Sequence, residues 1–219
     1  PNVVLIHGLG LSSAYFERFA RALFARGLQP IAPDLPGFGE SVDAPASTPA
    51  QHAEMLAAWA DAQKIRDAIW IGHSVGCNAV AHLARMRSDL VREAVYIGPL
   101  WRRGGHRIAS LALMLSLDAF REPAALWAHV IRAYWRTGLA RWFATFVRYN
   151  RDSRCEAKPG AGLFISGKRD PIVDRECVTS REVAGAHACH FSHPDECANE
   201  IQLLAPATAQ SRYSLGVIP

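Results

Sequence analysis

Two hydrophobic rhythms alternate along this chain. Short apolar runs at 2–6, 30–33, 68–72, 94–98 and 161–166 have the length and bounding turn residues of strands buried on both faces. Between the first four lie stretches at 13–26, 48–63 and 75–87, where apolar residues recur every three or four positions. In the first of these, Phe16, Phe19, Ala20 and Leu23 share a helical face, and Gly27 stands where helices commonly stop. Pro49 suits the first turn of the second. In the third, Val80, Leu83 and Ala84 share a face. Strands alternating with helices predict an α/β fold, a mostly parallel sheet with helices on both faces. Such sheets bind ligands at the carboxyl ends of their strands, so the residues just after each strand are the first candidates for chemistry.

The alternation breaks over 101–150. That stretch has helical patterns at 107–120, 123–136 and 138–149 and no convincing strand. It holds Trp101, Phe120, Trp127, Trp135, Trp142, Phe143 and Phe146. Pro159-Gly160 marks the return of the strand rhythm, and a last helix is predicted over 194–204, opened by Pro194 with acids in its first turn. The domain reading is a core of 1–100 and 151–219 with a helical cap or lid of 101–150. The aromatic and Leu/Met face of that cap is expected to line an apolar pocket. Residues 205–219 show no clear periodicity and are expected to be loop or disordered.

Composition narrows the class. A chain of 219 residues, 50% hydrophobic, suffices for one core, so one domain with an insertion is expected. No apolar run reaches the roughly 18 residues of a membrane span, and no membrane partner is expected. The net charge is +4, carried almost entirely by arginine, with Arg102, Arg103 and Arg107 as the densest patch. Without a continuous basic stripe, no nucleic-acid partner is expected. Cys77, Cys155, Cys177, Cys189 and Cys197 are odd in number and irregular in spacing, which argues against a disulfide framework. That points to a reducing compartment, hence a cytoplasmic location. No secretory signal is visible, but the chain starts at Pro1 without Met, so a missing upstream segment is an open expectation. Composition leaves the oligomeric state open.

The chemistry concentrates at Gly72-His73-Ser74-Val75-Gly76, between the strand Ala68-Ile69-Trp70-Ile71 and a helical pattern. A serine hydroxyl is a poor nucleophile unless a base and a tight turn activate it. Gly72 and Gly76 lack a Cβ, so strand and helix can close around a strained turn from which Ser74 projects. Acyl transfer further needs a base, a carboxylate to orient it, and donors for the oxyanion. For the carboxylate, Asp170 follows a strand in Gly167-Lys168-Arg169-Asp170-Pro171, with Asp174 as the alternative. For the base, His187 follows the small-residue loop Ala184-Gly185-Ala186, with His190 and His193 as alternatives. The oxyanion donors fall to the backbone amides of Val75 and Leu9, the latter in His7-Gly8-Leu9-Gly10. His7, Gly8, His73 and Trp101 are assigned to substrate binding. A competing pattern, His187, Cys189, His190, His193 and Cys197, has residue types that suit zinc, but its spacing is irregular. Neither a metal nor a cofactor is expected.

The ordered set HGLG, DLPGFGES, GHSVG, GKRD and a late His before Pro resembles the α/β-hydrolase superfamily over roughly residues 2–204. The resemblance implies Ser74 as nucleophile, Asp170 as acid, His187 as base, and Leu9 and Val75 as oxyanion donors. The place of His187 ahead of Pro194 fits the spacing of many relatives. A Ser rather than an Asp nucleophile implies esterases, lactonases, carbon–carbon bond hydrolases and cofactor-free haloperoxidase-like members. The expected activity is hydrolysis of a small-to-medium, apolar ester, thioester or lactone. The alternative is a non-catalytic or slow small-molecule-binding protein on the same fold. The family usually has a strand or two before the HG loop, and a helix and a strand between the acid and the histidine. Only 175–183 is available for the latter, so the last strand is expected to shrink to about 182–186.

Overall fold

A computed structural model describes residues 2–41, 43–45, 47–159 and 161–204, apart from the side chains of Ile108 and Ala112. The tail 205–219, expected to be loop, lies outside the described residues, as does Gly160 of the expected boundary.

Six strands form the sheet: β1 (Asn2–Ile6), β2 (Gln29–Ile31), β3 (Ala68–His73), β4 (Val91–Ile97), β5 (Leu163–Gly167) and β6 (Arg181–Val183). Their order is β2-β1-β3-β4-β5-β6, and every neighbouring pair is parallel. The flanking helices are α1 (Glu17–Phe24), α2 (Pro49–Ala62) and α3 (Gly76–Met86). Alternate strand residues go to opposite faces, as the pleat dictates. Val4, Ile6, Trp70 and Tyr96 pack with Leu56 of α2 and with Val80 and Leu83 of α3. Val3, Leu5, Ile69, Ile71, Val95 and Ile97 pack with Phe19 and Leu23 of α1. Burial on both faces is why these strands read as unbroken apolar runs.

Local signals set the helix ends. Thr48 and Gln51 form a reciprocal capping box at the start of α2, with Pro49 in its first turn. The expected 13–26 helix begins instead as a 3-10 turn over Ser13–Phe16 and ends at Phe24. β4 starts at Val91, three residues before the expected 94.

Three helices leave the sheet between β4 and β5: α4 (Ile108–Ala119), α5 (Ala124–Thr137) and α6 (Leu139–Arg151). Leu111, Phe146 and Tyr149 from this layer pack with Val75, Leu100 and Ile172 at the strand ends. After β6 come the short α7 (Cys189–Ser192) and α8 (Pro194–Gln202). The chain goes from β2, on one side of β1, to β3 on the other. The switch point therefore lies between the carboxyl ends of β1 and β3.

One expectation is corrected here. Cys155 and Cys177 form a disulfide, with Cα atoms 5.7 Å apart and a separation of 22 positions in sequence. It joins the exit of α6 to the connection between β5 and β6, two segments whose meeting no cysteine spacing reveals. Support for a reducing compartment from cysteine pattern falls with it. Cys77, just after the Ser74 turn, is buried. Among the described residues, no helix is long and apolar enough to cross a membrane.

Candidate active site

The turn after β3 is tight because its glycines leave no room for anything larger. A Cβ on Gly72 would come within 2.6 Å of the Gly76 carbonyl and the Cys77 amide. A Cβ on Gly76 would come within 2.5 Å of the Ile6 carbonyl oxygen. β1, β3 and α3 are thus in near contact around Ser74, which sits at φ 55°, a left-handed conformation rare for residues other than glycine. The Ser74 amide donates to the Ile97 carbonyl at 2.9 Å, so β4 helps hold this strained residue.

Ser74 Oγ lies 3.0 Å from His187 Nε2, and His187 Nδ1 lies 2.9 Å from Asp170 Oδ2. Asp170 is aimed by its own turn: its other oxygen accepts from the amides of Ile172 (2.8 Å) and Val173 (3.4 Å). The interval between Asp170 and His187 holds only a turn at 174–178 and the three-residue β6, displaced by a residue or more from the expected 182–186. That short path still brings the ring to the serine.

The histidine loop is also gripped from above. The His187 amide donates to Asp118 Oδ1 at 3.0 Å, and the Ala188 amide donates to Glu122 Oε1 at 2.6 Å. Both acids come from the end of α4 and the turn after it. Burial works to lower the His187 pKa. The charge and hydrogen bond of Asp170, with Asp118 and Glu122 behind it, outweigh burial and raise it to about 9. Burial likewise pushes Glu122 up to about 7 and raises Asp118. Asp170 itself is lowered: burial opposes this, but the His187 charge and hydrogen bonds from His187, Ile172 and Val173 prevail.

A second chain of bonds ties the loop after β1 to this site. His73 Nε2 donates to the His187 carbonyl at 3.1 Å, which leaves Nδ1 bare to accept from the Tyr15 hydroxyl at 2.6 Å. The Tyr15 oxygen accepts in turn from the Gly8 amide at 3.4 Å. Burial, with His190 and His187 nearby, holds the His73 pKa well below its ordinary value, so this ring is neutral.

These residues open on a cavity of about 780 Å³. Gly8, Leu9, His73, Ser74, Val75 and His187 form its floor, and Leu111, Leu115, Leu126, Val130, Trp142 and Phe146 are among its apolar walls. A serine oxygen, a ring nitrogen that can take its proton, and a carboxylate behind that ring thus face an apolar space. This arrangement is suited to attack on a carbonyl carbon.

Of the residues assigned from sequence, the structure brings together Ser74, Asp170, His187, Leu9, Val75, Gly8 and His73. Two assignments are corrected. His7 is fully buried and does not line the cavity. Its Nε2 accepts from the Leu35 amide at 2.9 Å and its Nδ1 donates to the Gly8 carbonyl at 2.9 Å, so it braces the loop beneath. Trp101 is buried against Tyr96 and Phe164 in the core, because the chain turns inward on leaving β4. Of the alternatives, His190 packs among Tyr15, Phe16, Phe19 and His73, away from the serine. His193 contacts Ser192 at the start of α8, and Asp174 accepts backbone amides. Among the described residues, no group of three such side chains is placed to hold a metal, so the competing zinc pattern is not assembled.

Sequence reasoning missed Tyr15, Asp118 and Glu122. Asp118 had a signal: it is the lone charge in α4, an otherwise uncharged helix. Tyr15 had none, because an aromatic on an apolar face reads as core.

A family model described as "Alpha/beta hydrolase family" matches residues 3–200. A pimeloyl-[acyl-carrier protein] methyl ester esterase of Vibrio atlanticus (strain LGP32) is 35% identical over 97 residues, 44% of this chain and 36% of that protein. The chain thus aligns with about a third of that relative's length. Among solved structures, bromoperoxidase from Bacillus anthracis matches with TM-score 0.74 and 19% identity, over 93% of this chain and 91% of its own. The enol-lactonase from Burkholderia xenovorans LB400 matches with TM-score 0.70 and 18% identity, over 93% and 90%. At these identities the structural likeness is one of fold.

Proposed function

This chain belongs to the alpha/beta hydrolase family, and on that footing we propose that it is a serine hydrolase working through an acyl-enzyme on Ser74. The observation that carries the proposal is the hydrogen-bonded chain Ser74–His187–Asp170 facing the apolar cavity. His187 takes the Ser74 proton at Nε2 as Oγ attacks the substrate carbonyl. The backbone amides of Leu9 and Val75, residues that line the cavity with Ser74, stabilise the oxyanion. His187 then returns the proton to the leaving oxygen or sulfur as the carbonyl reforms. Water attacks the ester on Ser74, again losing its proton to His187, and the acid departs with Oγ reprotonated. Asp170 holds the ring in the tautomer this needs and stabilises the imidazolium.

The proposed substrate is an ester, thioester or lactone of small to medium size with an apolar acyl part, since leucine, valine and aromatic side chains dominate the walls. In this reading 101–150 is a cap that shapes the acyl site. The methyl ester esterase relative supports ester cleavage, though its alignment covers a limited part of that protein.

A panel of p-nitrophenyl esters from acetate to decanoate, given to wild type and Ser74→Ala, tests the proposal. Short and middle esters are expected to be cleaved by wild type and not by the variant. Activity that survives in Ser74→Ala would overturn the mechanism. A folded wild type that fails to label with an active-site serine probe would favour a binding protein on the same fold.

A further inference from the structure

All three helices between β4 and β5 expose a regular apolar stripe. On α4 and just after it, Leu113, Leu117 and Phe120 are exposed. On α5 the exposed residues are Trp127, Ile131 and Trp135, and on α6 they are Leu139, Phe143 and Val147. Spacings of three or four put each set on one side of its helix, about a residue around from the side facing the core. Leu126 and Ala133 of α5, and Thr145, Phe146 and Tyr149 of α6, already serve burial. The outer stripes are therefore not core residues left partly open. Phe120 is 91% exposed, Trp135 85% and Leu139 77%. Phe120 and Trp127 also line the cavity, so two of the stripes reach its mouth. Isolated exposed apolar residues need no explanation, but a periodic set across three consecutive helices does.

Charge says what the set suits. α5 and α6 carry Arg132, Arg136, Arg141, Arg148 and Arg151 and no acid. The chain has 24 basic and 20 acidic residues, so everything outside these two helices has 19 basic and 20 acidic. The whole positive excess of the protein thus resides where the apolar stripes are. Glu40 pairs with Arg136 and offsets part of it. Exposed Trp, Phe, Leu and Ile interleaved with arginine is the pattern of helices that lie in a lipid–water interface.

We propose that α4–α6 dock on an anionic phospholipid surface, with the stripes entering the headgroup boundary and the exposed Arg132, Arg148 and Arg151 meeting lipid phosphates, while Arg136 and Arg141 are held by Glu40 and by the Gly37 and Ala44 carbonyls. This is attachment to a surface, without a span, and it departs from the sequence-based expectation of no membrane partner. Docking would set the cavity mouth, at Phe120 and Trp127, against the source of apolar substrates.

Co-sedimentation of the intact protein with vesicles tests this, comparing phosphatidylcholine alone with phosphatidylcholine mixed with phosphatidylglycerol. Stronger binding to the mixed vesicles, a blue shift of tryptophan emission and release at high salt are expected. Trp135→Ser with Leu139→Ser should weaken binding by about tenfold or more. Arg132→Gln with Arg148→Gln should weaken binding to the mixed vesicles about twenty-fivefold, at roughly fivefold per arginine. Both double variants should hydrolyse a soluble short ester as wild type does, and Ser74→Ala should bind vesicles normally, so docking and chemistry fail separately. Equal binding to both vesicle types, or variants that bind like wild type, would overturn the proposal. So would a lipid-free dimer dissolved by Trp135→Ser with Leu139→Ser, which would assign the face to a second copy of this chain.

Discussion

At the scale of single residues, His187 is the decisive group. Burial alone would keep it neutral, yet Asp170, Asp118 and Glu122 raise its pKa to about 9. A raised histidine is protonated below its folded-state pKa, so the free base that the proposed mechanism requires appears only as pH climbs. The kcat/KM profile should therefore show an acid limb with its midpoint above 6.5, activity rising towards about 9. The same sign governs stability. The favourable pairing of charged His187 with its acids is fully present below 6.5 and fades as pH rises through about 9. Glu122→Gln removes one of the raising charges, so it should move the acid limb to lower pH. A limb left in place by that substitution would count against the electrostatic account. Asp170→Asn is a different test, because it leaves the shape and removes the charge and the tautomer control. The expected fall in kcat is on the order of 10⁴-fold in steady-state ester hydrolysis.

At the scale of elements, the instructive segment is the connection from β5 to α7. In sequence it looks too short to hold what usually separates acid and base. The structure meets the distance with one turn, a three-residue β6 and the loop 184–188. The Cys155–Cys177 disulfide anchors this segment to the exit of α6. Closing a loop of 22 residues restricts the unfolded chain by an amount worth about 3 kcal/mol. Cys155→Ser should lower the denaturation midpoint accordingly in guanidinium titrations monitored by circular dichroism. Wild type under mild reductant should behave like the variant, and no change in either would show that the bond contributes nothing.

At the scale of the whole molecule, the strand ends and their loops carry Ser74, Asp170 and His187, and the helices between β4 and β5 supply most of the cavity walls. Leu115 is one of those walls and lies away from Ser74–His187–Asp170 in sequence and in bonding. Leu115→Trp should fill acyl space without touching the reacting groups. Acetate ester turnover should stay within a few-fold, while octanoate and decanoate esters lose about tenfold or more in kcat/KM. A uniform loss across the series would mean that α4 acts on the chemistry, through Asp118, rather than on chain length.

The sequence by itself determined the architecture and the tight turn at Ser74. Both are written in local periodicity, in residues 68–76 above all, where an apolar strand, two glycines and a serine permit one geometry. It also offered Asp170 and His187 as partners for Ser74, with His190 and His193 as alternatives for the base. Only the tertiary structure separated those histidines in space, setting the His187 ring between Ser74 and Asp170 and sinking His190 among aromatics. Only it removed His7 and Trp101 from the cavity, paired Cys155 with Cys177, and set Tyr15, Asp118 and Glu122 around the histidine loop. The division has a physical cause. Helix and strand patterns depend on residues a few positions apart, whereas these contacts join residues up to 114 positions apart. Their energies rest on burial and direction, which exist only once the sheet has closed.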